Sequence, residues 1–243
     1  MTIRLDKMLA HMGYGSRREI RGLVKAGEVL VNGLPAKDVG MQIQEENDQV
    51  LVYGEEVIYS EYVYYMMNKP PGVISATEDK HDETVIDLLD PLAQHFEVFP
   101  VGRLDKDTEG LLILTNDGKL SHQLLSPKKH VPKTYFAKVE GVVSQKDIDQ
   151  FAKGVILDDG YETKPAKLTI VQAAEISEIE LIIVEGKFHQ VKRMFEAVGK
   201  KVVFLKRIQM GELSLDPELE LGDYRELSKE EVEILRNSQP IAF

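Results

Sequence analysis

Between Phe96 and Thr115 the chain reads Phe-Glu-Val-Phe-Pro-Val-Gly-Arg-Leu-Asp-Lys-Asp-Thr-Glu-Gly-Leu-Leu-Ile-Leu-Thr. The middle of this stretch, Gly102 to Gly110, is dense in charge and bracketed by glycines. It joins an apolar run, Phe96 to Val101, to a run of strand length, Leu111 to Thr115. A charged loop lodged between strands is a common place for working side chains, because the strands hold it while its residues face solvent. On residue type alone, however, Asp105 is one of 41 acidic residues, and an exposed loop aspartate paired with Arg103 is the plainer account of it.

Outward from this loop the pattern is strand-rich with interspersed helices. Strand-length apolar runs occupy Tyr62 to Met67 (stopped by Asn68-Lys69-Pro70-Pro71-Gly72), Tyr135 to Val139, Lys167 to Val171, Ile179 to Val184 and Lys201 to Leu205. Helical spacing marks Leu120 to Leu125, Lys146 to Lys153 and His189 to Val198, the last two ended by Gly154 and Gly199. Phe188, Val191, Met194 and Phe195 are the expected buried side of the third. This irregular alternation predicts an α+β fold for residues 61–243, with a mixed, mostly antiparallel sheet and flanking helices, not a βαβ series.

Residues 1–60 read as a separate small module. Leu5, Met8, Leu9 and Met12 recur at helical spacing before Gly13 and Gly15, and Ser16-Arg17-Arg18-Glu19 fits a capping box that opens a second helix. Val29-Leu30-Val31-Asn32-Gly33-Leu34 then carries the Asn-Gly signal of a hairpin. Arg4, Lys7, Arg17, Arg18, Arg21 and Lys25 fall on or beside the exposed helix faces.

Net charge is −11 over 243 residues, which argues against a polyanionic partner until its distribution is considered. Arg4 to Lys25 holds six Lys/Arg against two acids, and Lys187 to Arg207 holds seven against one. Local field decides where a polyanion docks, although either run alone would pass for a solvated helix face. The chain has no Cys and no apolar run near the ~20 residues that span a bilayer. A soluble cytoplasmic monomer without membrane attachment is expected. No phosphate-binding Gly-rich loop, dinucleotide fingerprint or nucleophile elbow is present, and the six His residues lack ligand spacing. Chemistry without metal or cofactor is the expectation, carried by carboxylate, basic and aromatic side chains.

Two resemblances sharpen this. Arg4-Leu-Asp-Lys7, Ser16-Arg-Arg-Glu19 and the Gly27-Glu-Val-Leu-Val-Asn-Gly33 segment resemble the alpha-L RNA-binding motif, whose helix-borne Lys and Arg meet phosphates of structured RNA. Gly102-Arg-Leu-Asp-Lys-Asp-Thr-Glu-Gly-Leu111 resembles the signature of the small-subunit type of ribosomal pseudouridine synthases. Four more segments agree in order and spacing: Asn68-Lys-Pro-Pro-Gly72, Thr115-Asn-Asp-Gly118, Lys133-Thr-Tyr135 and Glu185-Gly-Lys-Phe-His-Gln-Val-Lys-Arg-Met194.

The resemblance implies roles. Asp105 corresponds to the aspartate that attends cleavage of the uridine C–N glycosidic bond; it acts as nucleophile, as base at C2′ or as charge stabiliser, and the sequence does not choose. Tyr135 matches the tyrosine that stacks on the base, against the plainer reading of a strand-core tyrosine. Lys192 matches a basic partner of the aspartate, with Arg193 beside it able to exchange roles. Arg103 is a candidate to hold the flipped nucleotide or fill its vacancy. Lys187, Arg193, Lys128, Lys129 and the N-terminal basic set are candidate phosphate contacts. Lys69 either touches RNA or only closes the turn at Pro70-Pro71-Gly72.

Asp107-Thr108, His189-Gln190-Val191-Lys192-Arg193-Met194, Phe151 to Val155 and Gly222-Asp-Tyr-Arg225 resemble the small-subunit branch, whereas Glu109 departs from it. The implied substrate is small-subunit ribosomal RNA, free or in a partly assembled ribonucleoprotein. The alternatives are large-subunit RNA, or a non-catalytic rRNA-binding assembly factor.

Overall fold

The computed structural model describes residues 2–241, which fall into two compact units. The first spans the chain up to Tyr62 and takes in Pro91–Phe96 as well. Strand β1 (Thr2–Arg4) pairs antiparallel with β4 (Gln42–Gln44). Helices α1 (Leu5–His11) and α2 (Arg17–Ala26) follow β1, and a four-stranded sheet of order β3-β2-β5-β6 closes the unit. Its strands are β2 (Val29–Val31), β3 (Leu34–Pro35), β5 (Val50–Val52) and β6 (Glu55–Glu56).

Local chemistry accounts for these boundaries. Ser16 Oγ accepts from the Glu19 amide while the Glu19 carboxylate takes the Ser16 N–H at 2.7 Å, a complete capping box. Asn32 and Gly33 both have positive φ (53° and 77°), the pairing a tight two-residue hairpin turn demands. Leu5, Leu9, Ile20, Val29, Ile43 and Val52 form the buried centre. The short helix α3 (Pro91–His95) also belongs here.

The second unit comprises Val63–Asp90 and the chain from Glu97 onward. Its strands are β7 (Tyr64–Lys69), β8 (Phe99–Pro100), β9 (Glu109–Thr115), β10 (Lys133–Glu140), β11 (Lys167–Gln172), β12 (Ile176–Ile183), β13 (Lys201–Met210), β14 (Leu213–Ser214) and β15 (Tyr224–Glu226). They form one sheet of order β11-β12-β10-β13-β9-β7-β15, with β8 on β9 and β14 on β13. Every pairing along that order is antiparallel except β13 with β9. This is the expected mixed, mostly antiparallel α+β sheet.

Helices α4 (Gly118–Leu125), α5 (Gln145–Phe151) and α6 (Gln190–Ala197) stand near the predicted positions. A further helix, α7 (Lys229–Arg236), was not anticipated, although Ser228 and Glu231 complete a second Ser-x-x-Glu capping box there.

The register aligns residues that are far apart in sequence. Lys69 on β7 is opposite Gly110 on β9, Gly110 opposite Arg207 on β13, Arg207 opposite Tyr135 on β10, and Tyr135 opposite Leu181 on β12. Gly110 is required in this row. It has φ 102°, and a Cβ there would lie 2.2 Å from the Arg207 carbonyl oxygen, so only glycine admits β13 this close to β9.

Candidate active site

The loop from Gly102 to Thr108 is held largely through its backbone. Ser75 Oγ both accepts from Leu104 N and donates to Leu104 O, at 3.0 Å each. The Gly72 amide donates to Lys106 O at 2.7 Å, and Thr108 N donates to Asp105 O at 3.0 Å. Below the loop lies Lys69, with no exposed surface. Its ammonium donates to the carbonyl oxygens of Pro70 (2.9 Å), Thr108 (3.0 Å) and Asp105 (3.1 Å), with Lys106 O at 3.4 Å. Burial pushes the Lys69 ammonium down to about 8, against the carboxylates of Asp107, Asp105 and Glu109. Lys69 is therefore no RNA contact, because burial leaves it nothing to offer a phosphate. It is the clamp of the loop.

Asp105 projects from this fixed backbone, its side chain 26% exposed. Lys192, on the first turn of α6 and 87 residues away in sequence, places Nζ 3.1 Å from Asp105 Oδ2 and 2.6 Å from Asp107 Oδ1. Burial works against the Lys192 ammonium, but the hydrogen bonds to Asp107 and Asp105 outweigh it and hold its pKa above the ordinary lysine value. The same bond holds the Asp107 carboxyl below its usual range. On the other side, His189 Nε2 stands 3.6 Å from Asp105 Oδ1. That neighbour was not anticipated from sequence. The only hint was its place in the segment that also carries Lys192.

Arg193 does not share this position. Its guanidinium turns to Asp158 and Asp159, with Nε 2.6 Å from Asp158 Oδ1 and Nη2 2.7 Å from Asp159 Oδ2. Lys192 and Arg193 thus do not exchange roles, and two carboxylates already occupy the charge assigned to phosphates. Phe188 was expected in the helix core with Val191, Met194 and Phe195, yet it is 74% exposed while those three are buried. Helix α6 begins only at Gln190, and His189 before it is left-handed (φ 49°), so helical spacing does not extend back to Phe188.

Tyr135 is buried in β10, level with Arg207 and, one strand further, with Gly110. Arg207 is 2% exposed; its Nε donates to Leu111 O at 2.8 Å and its Nη2 has no partner. Arg103 and Lys187 are exposed, as are Lys128 and Lys129. Lys187 Nζ sits 4.7 Å over the Tyr161 ring, a cation–π contact.

The basic residues of the first unit form a group of their own. Arg4, Lys7, Arg17, Arg18, Arg21 and Lys25 are all exposed. Arg17, Arg18, Arg21 and Lys25 fall within an arc of about 100° on α2, away from buried Ile20. Arg4 is partly neutralised by Asp6 at 2.9 Å. Among the described residues no helix is long and apolar enough to cross a membrane.

A loop carboxylate gripped through its backbone and flanked by a lysine and an imidazole can stabilise, trap or deprotonate an electron-poor sugar carbon. Known proteins match the chain closely along its length. A family model described as RNA pseudouridylate synthase matches residues 63–197, and an S4 domain model matches residues 3–50. An uncharacterized RNA pseudouridine synthase of Bacillus subtilis is 55% identical, covering 98% of this chain and 100% of its own. Ribosomal large subunit pseudouridine synthase B of the same organism is 42% identical, over 96% and 95% of the two chains. Ribosomal small subunit pseudouridine synthase A of Escherichia coli is 39% identical, over 95% and 98%. A crystal structure of a pseudouridylate synthase superposes with TM-score 0.67 at 38% identity, covering 96% of this chain and 99% of that one. With a family match over more than half its length and full-length relatives well above 30% identity, the chain belongs to the RNA pseudouridine synthases and carries an S4 domain ahead of the catalytic one.

Proposed function

We propose that this enzyme converts a uridine of small-subunit ribosomal RNA to pseudouridine, acting in the cytoplasm as a monomer, with Asp105 as the catalytic carboxylate. The observation that carries the assignment is the placement of Asp105: main chain clamped by Lys69 and Ser75, carboxylate 3.1 Å from Lys192 Nζ. The C1′–N1 bond breaks with its electron pair leaving on uracil, and the carboxylate answers the deficiency at the sugar, either by bonding to C1′ or by taking the C2′ proton. The base turns, C5 joins C1′ as the carboxylate leaves C1′ or returns the C2′ proton, and the C5 proton is released while N1 takes one up. Tyr135 supports the base as it turns. Arg103, exposed two residues before Asp105, meets the strand from which the uridine is extruded, a step that costs a few kcal/mol.

The small-subunit target is supported by the sequence of α6 and its lead-in, His189 to Met194. The competing target, large-subunit RNA, is favoured by the 42% identity to a large-subunit enzyme against 39% to a small-subunit one. Tritium release from RNA labelled at uracil C5 tests the chemistry, with wild type active and Asp105→Ala silent; a fully active Asp105→Ala would refute the carboxylate assignment. Pseudouridine mapping in a strain lacking the protein tests the target. A site lost from large-subunit RNA would replace the small-subunit reading.

A further inference from the structure

Phe188 is a large apolar ring left 74% exposed on a loop that is otherwise tightly bound. Gln190 Oε1 accepts the Lys187 amide at 2.9 Å, and Gln190 Nε2 donates to buried Glu185, also at 2.9 Å. The Phe188 carbonyl accepts from Arg193 Nη1 at 3.3 Å, and Asp158 and Asp159 hold that guanidinium in turn. The exposure of Phe188 is thus built into the loop.

One face of the ring is covered. Phe188 lies on the imidazole of His189 with centroids 3.8 Å apart and planes within 18°. His189 in turn stands 3.6 Å from Asp105. A continuous line of contacts therefore runs from solvent through both rings to the reacting carboxylate. When a uridine leaves its helix to reach Asp105, the bases on either side lose a stacking partner. An open aromatic face is the surface such a base takes up, since every base has a π-face.

We infer that Phe188, backed by His189, is the stacking platform for the nucleobase adjoining the target uridine, a positioning residue for the RNA. This rests on Asp105 being the reacting carboxylate. The test is tritium release from unmodified small- and large-subunit ribosomal RNA transcripts labelled at uracil C5, with Phe188→Ala, Phe188→Leu, Phe188→Tyr and Phe188→Trp. Phe188→Ala and Phe188→Leu should lose on the order of tenfold in kcat/KM, mainly through KM, while Phe188→Tyr and Phe188→Trp stay within about threefold of wild type. Rescue by Leu would mean plain apolar packing and would overturn the inference, as would an unchanged KM for Phe188→Ala. Thermal melts of all four exclude misfolding, and the Leu-against-Trp contrast decides even if the Ala variant is unstable. Activity retained by Asp105→Ala would instead remove the active-site assignment, whatever the pattern at position 188.

Discussion

The ammonium of Lys69 lies 3.1 Å from the main-chain carbonyl oxygen of Asp105 and also bonds to the backbone oxygens of Thr108 in the same loop and of neighbouring Pro70. A buried cation thus fixes the backbone from which the proposed catalytic carboxylate projects. Lys69→Met keeps the apolar stem but removes the donor, leaving buried carbonyls unsatisfied. The expected cost is about 2–5 kcal/mol of stability, together with roughly a hundredfold loss of activity through misplacement of Asp105. Urea melts and tritium release measure the two; a folded Lys69→Met with wild-type rate would show that the clamp is dispensable.

The same lysine predicts opposite pH trends for stability and activity. Its pKa is about 8 in the folded chain against the ordinary lysine value of 10.5, and buried Lys133 behaves alike. Between those values the unfolded chain holds protons that the folded chain has released, so these groups make unfolding costlier as pH rises. The phenols of Tyr64 and Tyr65, pushed up to about 12, act in the reverse sense only above their ordinary value of 10. Activity should meanwhile fall above pH ~8, as a neutral amine holds the carbonyls less well. The expected pair of curves is a kcat that declines from pH 8 to 9.5 without a parallel drop in melting temperature. A flat rate profile over that range would contradict it.

Lys192 is shared between Asp105 and Asp107, with the shorter contact to Asp107. Lys192→Met leaves two carboxylates without their cation, and the Asp107 carboxyl loses the hydrogen bond that holds its pKa down. The rate should fall by about two orders of magnitude, with the acidic limb of the pH–rate profile moved to higher pH. Lys192→Arg should retain much more, since it restores the charge. A Lys192→Met profile with the wild-type acidic limb would rule out the electrostatic role.

What could be read in the sequence was what local chemistry decides. The Ser16–Glu19 box and the Asn32-Gly33 turn are complete within a few residues. The partnership of Asp105 with Lys192 spans 87 positions and was reachable only through resemblance. Three residues have surroundings that local sequence does not reveal. At Lys69 the sequence leaves RNA contact and turn closure both open, because most of its acceptors come from a loop 36 to 39 residues away. Phe188 was assigned to the core because helical spacing was extended past a left-handed residue. Arg193 looked interchangeable with Lys192, and the aspartates that claim it lie on a distant turn.

Gly110→Ala should be among the most damaging single-atom-scale changes in the chain. Its Cβ would meet the Arg207 carbonyl oxygen at 2.2 Å and the Arg207 amide at 2.9 Å, at φ 102°. Backbone must move, and the β13–β9 pairing beside the catalytic loop moves with it. A loss above about 3 kcal/mol is expected. Gly27→Ala is the control, with a similar positive φ but nothing within 4 Å, and should cost only about 1–2 kcal/mol. Equal melting points for the two variants would remove the close-approach argument.

The arginines of α2 should contribute affinity without contributing chemistry. Arg17, Arg18, Arg21 and Lys25 share one exposed face, and the capping box at Ser16 secures the helix without them. If they meet RNA phosphates, each one removed lowers the slope of log K against log salt by roughly 0.7 to 0.9, because fewer counterions are released on binding. Arg18→Gln with Arg21→Gln should therefore flatten that slope by about 1.5 and raise KM at moderate salt, with kcat at saturating RNA retained. Arg17 is less informative, since it stands 4.0 Å from Asp6 and is partly neutralised already. Binding isotherms from 50 to about 200 mM salt on ribosomal RNA transcripts give the slope directly. An unchanged slope would mean that this face does not carry the phosphate contacts, and a fall in kcat with constant KM would place these residues in the reaction instead.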